Sequence, residues 1–182
     1  MREYMTLIIS DNSKGNIGMI LKESFCAMGI QVAHFAADTL NIKPCVSCNS
    51  CGGKTYGRCV IPDDMQQLYP RIVRCQELVL VSPIVFGGVS YHIKKVMDRM
   101  AAVGDPRYWI KDGEIVKGMS NKELRYYMVG FGDNISEAEQ TAFLCLHKEN
   151  QIIMNVSGKA FICDSLADKQ AINIIAREIV DE

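Results

Sequence analysis

The short unbroken apolar run Leu78-Val79-Leu80-Val81 constrains the fold more than any other feature of the chain. A strand that is apolar on both faces must be covered on both, which is the situation of a central strand in a parallel sheet. Parallel strands need long crossovers, usually helices, and the rest of the chain alternates accordingly. Thr6-Leu7-Ile8-Ile9 reads as a first strand. Ile17, Ile20, Leu21, Phe25 and Met28 then repeat at helical spacing, and Gly29 ends that helix in a left-handed cap. Ile30 to Phe35 reads as a second strand. Pro62-Asp63-Asp64 opens a helix running to about Arg74, with an aspartate as its N-cap. Ser82-Pro83 ends the central run, and Val89, Ile93, Val96, Met97 and Met100 mark the next helix. Leu124 to Phe131 is a fourth strand. Ser136-Glu137-Ala138-Glu139 has the form of a capping box, opening a helix through the Asn150 region. Lys159 to Cys163 is a fifth strand, and Ile172, Ile175, Ala176 and Ile179 mark a last helix.

Five strands alternating with five helices predict one α/β domain over 1–182, a sheet with helices on both faces joined by right-handed crossovers. One insertion breaks the rhythm. Around 107–118, Asp112-Gly113 stands between the apolar pairs Trp109-Ile110 and Ile115-Val116, the signature of a β-hairpin.

Composition narrows the function classes. Of 182 residues, 48% are hydrophobic and 23% charged, with a formal net charge of −1. That is a globular balance, without the basic excess that drives binding to nucleic acid or a membrane surface. No apolar run is long enough to span a bilayer. The opening Met1-Arg2-Glu3-Tyr4 lacks the apolar stretch and cleavage site of a signal peptide, so a cytoplasmic protein is expected.

In a doubly wound sheet, ligands sit beyond the carboxyl ends of the strands. The segment after the first strand, Ser10-Asp11-Asn12-Ser13-Lys14-Gly15-Asn16-Ile17-Gly18, is rich in hydroxyls and amides and feeds a helix N-terminus, where free N–H groups favour phosphate. It reads equally as a polar turn with Asn16 as N-cap, and it matches neither common nucleotide-binding glycine motif. After the central strand, Ser82-Pro83-Ile84-Val85-Phe86-Gly87-Gly88-Val89-Ser90 has two glycines for close approach to a flat ligand, with Ile84 and Phe86 to pack on its ring. After the fourth strand, Gly130-Phe131-Gly132-Asp133-Asn134 supplies a third edge. Three such edges would form one crevice.

The chain has eight cysteines. Four of them stand as Cys45-x2-Cys48-x2-Cys51-x7-Cys59, with Gly52, Gly53 and Gly57 loosening the last gap. Four soft thiolates at such spacing suit a [4Fe–4S] cluster. Zinc, and free thiols or a redox disulfide without metal, are alternatives left open. Cys26, Cys75, Cys145 and Cys163 fall in apolar patterns and read as buried core thiols. His34, His92 and His147 show no metal or triad spacing. Tyr108 and Trp109 of the hairpin read as packing residues.

The chain resembles the flavodoxin-like NADPH-dependent FMN reductases, and within them the iron–sulfur flavoproteins. The resemblance rests on Ser10 through Ile17, on Pro62-Asp63-Asp64-Met65, on Ser82-Pro83-Ile84-Val85-Phe86-Gly87 and on Lys95 to Arg99. It implies a three-layer sandwich with a five-stranded parallel sheet in the order 2-1-3-4-5. It also implies FMN, with the phosphate on Ser10, Ser13, Asn16 and Ile17 and the isoalloxazine against Pro83, Ile84, Phe86, Gly87 and Gly88. Cys45, Cys48, Cys51 and Cys59 would be the cluster ligands. Asp11 and Ile17 depart from the usual proline and threonine, adding a negative charge and removing a hydroxyl near the phosphate. NAD(P)H would pass a hydride to the flavin N5, a step that needs no side-chain acid or base, so no catalytic residue is assigned. Electrons would go on to a small-molecule acceptor or a redox protein, from a homodimer or homotetramer. The alternatives are a non-enzymatic flavodoxin-like carrier, disfavoured by the near-zero charge, and a cysteine-based redox or metal sensor with a vestigial flavin site.

Overall fold

The computed structural model describes residues 5–164 and 169–181; residues 1–4, on which the signal-peptide reading rests, lie outside that description. Strand β1 (Thr6–Ser10) leads to α1 (Ile17–Ala27), and β2 (Val32–Ala36) to a long segment that contains one short 3-10 turn, Ser50–Gly52. Helix α2 (Met65–Arg74) precedes β3 (Glu77–Val85), which turns back as β4 (Gly88–Val89) into α3 (Tyr91–Arg99) and a 3-10 turn, Met100–Val103. The hairpin β5 (Trp109–Lys111) and β6 (Glu114–Val116) comes next. Strand β7 (Arg125–Phe131), α4 (Glu137–Met154), β8 (Ala160–Cys163) and α5 (Lys169–Val180) complete the order.

The parallel strands run β2-β1-β3-β7-β8, which is the expected order 2-1-3-4-5 of a flavodoxin-like fold. Alternation along the strands builds two cores. Leu7, Ile9, Leu78, Leu80, Tyr126 and Met128 face α2, α3 and Phe143 of α4. Ile8, Val79, Val81, Tyr127 and Val129 face α1 and α5. Period two within strands and period near 3.6 within helices bury both faces of the sheet.

Local signals hold at several ends. Gly29 takes φ +77° at the end of α1, Ser136 and Glu139 form the reciprocal capping box, and Asp112-Gly113 turns β5 into β6 with positive φ at both residues. Four expectations are corrected. Ser82-Pro83 does not end β3. The strand runs on to Val85, with Pro83 opposite Phe131 of β7. Strand β1 has already stopped at Ser10 opposite Val81, so that flank of β3 is an edge, where a residue without N–H is tolerated. The flavin-loop segment is in fact a hairpin, closed by Phe86-Gly87 with φ +50° and +73°. At α2, the N-cap residue Asp64 makes no side-chain cap; Asp63 accepts the Met65 amide instead, and Asp64 accepts from Asn41. Of the thiols read as core, Cys75 is buried and Cys163 half-buried, but Cys26 and Cys145 are exposed. Each of the latter lies one or two residues from a buried phenylalanine, Phe25 or Phe143, and a helix rotates such neighbours onto its solvent side.

Candidate functional site

The loop after β1 is held from beneath. Ser10 is fully buried; its hydroxyl donates to Asn12 Oδ1 at 2.8 Å and accepts from His34 Nε2 at 2.7 Å. Asp11 is buried too, and its carboxylate takes the Ser13 amide at 2.9 Å. Burial works to raise the Asp11 pKa, but hydrogen bonds from Ser13 and Ser90, with the charge of His92, outweigh it and hold the carboxyl below its usual value. The Asn12 amide donates to Asp38. Asp11 therefore ties the loop to the start of α3 rather than presenting its charge at the surface. Gly18 packs so tightly on this base that a Cβ there would lie 2.4 Å from Ser10 Cβ. Above it, the first-turn amides of Ile17 and Gly18 have no acceptor within α1. Ser13 and Asn16 are exposed beside them.

The other two edges meet this loop. A cleft of about 300 Å³ is lined by Lys14 of the β1 loop, Pro83 and Ile84 of β3, Phe131 and Gly132 at the end of β7, and Glu139 of α4. Ile84 can lie flat against β7 because position 130 is glycine; a Cβ there would meet Ile84 Cδ1 and Phe143 Cζ at 2.7 Å. Gly87 is pressed on α4, 2.6 Å from Ala142 Cβ by the same measure, while Phe86 projects from the turn 95% exposed. A larger groove of about 720 Å³ opens between the β5–β6 hairpin and the end of α4. It lies at the opposite end of the strands and has no helix N-terminus facing it, so the switch-point cleft is the candidate site.

An exposed aromatic in the left-handed region is strained by roughly 1–2 kcal/mol. Phe86→Gly should therefore raise stability by about 1 kcal/mol in urea unfolding, while weakening binding of a flat ligand at the cleft. His34 adds a pH dependence. Burial, then the charge of Lys22, lowers its pKa from 6.5 against the opposing pull of Asp38. The native state thus binds fewer protons than the unfolded one. The contribution is full above pH 6.5 and is lost as pH falls below it. The urea midpoint should fall over that range, and His34→Gln should flatten the slope.

The cysteine segment is pinned at its base. Arg99, with its side chain 1% exposed, pairs with Asp63 at 2.8 Å. It also donates to the Lys43 carbonyl at 2.8 Å, to Tyr69 Oη at 3.2 Å and to the Ile61 carbonyl. Asp63 in turn accepts the Lys43 amide. One ion pair thereby clasps both ends of the stretch that carries the four thiols. Cys51 and Cys59 pack against the core; Cys45 and Cys48 are exposed. Among the described residues no three metal-ligating side chains are gathered at one point. The donor set itself, four thiols between two fixed ends, suits a soft metal centre. The Ser50 hydroxyl, then its amide, holds the Cys48 thiol below its usual pKa.

These features coincide with a known pattern. Residues 8–132 match the model of the NADPH-dependent FMN reductases. The chain belongs to that family. An iron-sulfur flavoprotein of Methanocaldococcus jannaschii is 32% identical over 93 residues, covering 50% of this chain and 47% of the relative. The chain spans under half the length of the curated iron-sulfur flavoproteins it matches. Among solved structures, an NADH:FMN oxidoreductase aligns with TM-score 0.59 at 13% identity, covering 98% of this chain and 91% of the other. A Streptococcus pneumoniae flavodoxin aligns with TM-score 0.62 at 11% identity, covering 97% and 98%. At such identities these two neighbours speak for the fold.

Of the residues expected at the cofactor, the structure places Ser13, Asn16 and Ile17 at the head of α1 and Pro83, Ile84, Phe86, Gly87 and Gly88 along the β3–β4 hairpin. Ser10 sits beneath the loop with its hydroxyl turned to His34. Sequence reasoning did not find His34, Asp38 or Lys14. Nor did it find that Asp63 and Arg99 act on the cysteine segment; their signal was present in two charged motifs, one read as a helix cap and the other only as part of the family resemblance. Among the described residues no helix is long and apolar enough to cross a membrane.

Proposed function

We propose that the chain, as one domain, is an FMN-dependent oxidoreductase drawing electrons from NAD(P)H and passing them to a small-molecule acceptor or a redox protein. The observation that carries this reading is the meeting of Lys14 from the loop before α1, Pro83 and Ile84 of β3 and the β7 end at one cleft, in a chain of the FMN reductase family. When bound, FMN supplies reversible hydride and single-electron chemistry. The chain's residues do the rest. The amides of Ile17 and Gly18, with Ser13, Asn16 and the ammonium of Lys14, receive the phosphate dianion at the positive end of α1. Pro83, Ile84 and Phe86 flank the ring and exclude water from it. Gly87 and Gly88 keep the backbone close enough for amides to reach its polar rim. No side chain of the cleft has to move a proton.

Cys45, Cys48, Cys51 and Cys59 would hold a [4Fe–4S] centre, which supplies one-electron transfer when present. The names of the relatives and the soft donor set support this. A specific observation favours the metal-free reading beside it: the exposed Cys48 with a lowered pKa has the character of a reactive thiol. We propose a homodimer or homotetramer as the working assembly.

The test is anaerobic purification followed by absorbance, iron analysis and NAD(P)H oxidation with a small acceptor. A bound-flavin spectrum and flavin-dependent turnover are expected, with about four irons per chain on the cluster reading. A colourless protein that takes up no FMN would overturn the proposal. Flavin without iron would leave the oxidoreductase standing and remove the cluster.

A further inference from the structure

A second cavity lies far from the cleft, at the other end of β7. It measures about 220 Å³ and is walled by Met97, Met100, Met119, Met154 and Tyr126. The space is preformed. The chain leaving the hairpin is sewn to α4, with the Lys117 and Gly118 amides both donating to the Ile153 carbonyl at 2.9 and 2.8 Å. A bridge between Gly104 and Met119 closes the base of the insertion. Exposed Tyr108 and Ile153 stand at the mouth.

Three polar side chains on the wall are already engaged. Lys117 Nζ donates to the Ala101 carbonyl at 2.8 Å, Asn150 Nδ2 to the Leu146 carbonyl at 2.7 Å, and Asp98 pairs with Lys94. Tyr126 is 1% exposed, its ring stacks on His147, and its hydroxyl has no partner among the described residues. Burial alone acts on that phenol, pushing its pKa up with no hydrogen bond to oppose it. A hydroxyl without a hydrogen bond gains a net stabilisation of about 0.5–1.5 kcal/mol from an acceptor, so the cavity offers a favourable place to any acceptor that can reach it.

Size and wall chemistry narrow the ligand. An apolar cavity of roughly 150 Å³ accepts benzene, so this one holds a single ring with a small substituent. Four methionines make soft walls suited to an aromatic face. We propose that this cavity is a binding site for a monocyclic aromatic or quinonoid ketone, its ring between the methionines and its carbonyl accepting the Tyr126 O–H. The site stands apart from the flavin reading, because binding can be measured without turnover.

The experiment compares acetophenone with toluene, two probes of similar ring size of which only the first has a carbonyl, by ligand-observed NMR titration of the full chain. Acetophenone should saturate one site and bind about 2–10-fold more tightly than toluene, the span of one net hydrogen bond. Tyr126→Phe, which keeps the packing, should bring the two probes to parity. Met154→Trp should abolish binding of both; should it fail to fold, as judged by circular dichroism, the Tyr126→Phe comparison decides alone. Equal affinity in the native protein, absence of saturation, or preference for acetophenone surviving Tyr126→Phe would overturn the proposal.

Discussion

Arg99→Met should cost about 3–5 kcal/mol of stability, the penalty for leaving one partner of a buried ion pair uncompensated. The side chains of Arg99 and Asp63 are 1% and 0% exposed. Removing the guanidinium strands the carboxylate and releases the Lys43 and Ile61 carbonyls together. The cysteine segment should then become sensitive to limited proteolysis while the sheet stays intact. The pH dependence carries the same signature. Burial works to raise the Asp63 pKa, but the bonds from Arg99 and from the Lys43 and Met65 amides outweigh it and hold the carboxyl below 3.8. Its contribution is therefore present above pH 3.8 and is lost as pH falls through the lower native value. In Arg99→Met that acid-side slope should shrink. Urea unfolding at several pH values checks both statements; a variant within 1 kcal/mol of the parent, on the scale of a surface pair, would show that the clasp does not hold the loop.

Gly18→Ala should lower FMN affinity at least about 10-fold, the equivalent of 1.4 kcal/mol. The new Cβ would fall 2.4 Å from Ser10 Cβ and 2.6 Å from its hydroxyl. Neither atom can retreat, because Ser10 is fully buried in β1 and its hydroxyl is bound to Asn12 and His34. The first turn of α1 must therefore lift, taking the Ile17 and Gly18 amides away from the phosphate position. Overpacking of this kind also costs about 1–3 kcal/mol of stability. Flavin fluorescence quenching measures the affinity. Gly29→Ala, at the far end of α1 with open space around it but φ +77°, is the control that should cost stability and leave affinity unchanged.

The alternation of apolar runs and helical spacings was enough to read a parallel sheet with helices on both faces, because both follow from burial on two faces; the strand order came only from the resemblance to the FMN reductases. Boundaries set by tertiary context were not legible. Pro83 looks like a stop, yet it lies beyond the end of β1, where the strand continues first against β7 and then against β4. Phe86-Gly87 looks like loop because nothing local announces an aromatic residue at positive φ. Within the site, the backbone donors at the head of α1 were legible from spacing. The supports beneath them were not: His34 comes from β2 and Asp38 from the turn after it, and both reach the loop only through parallel pairing of β1 with β2. Asp11 appears in the sequence as a charge beside the phosphate. In the fold it is buried and satisfied by Ser13 and Ser90, so a departure that looked unfavourable is a brace.

The head of α1 is the proposed seat of a phosphate, and titration of the apoprotein with FMN and with riboflavin tests this most directly. The two ligands share the ring and differ in the dianion. FMN should bind at least about 100-fold more tightly, a gap of roughly 2.7 kcal/mol, and the gap should narrow as salt rises. Equal affinity for the two, or no uptake of either, would contradict it.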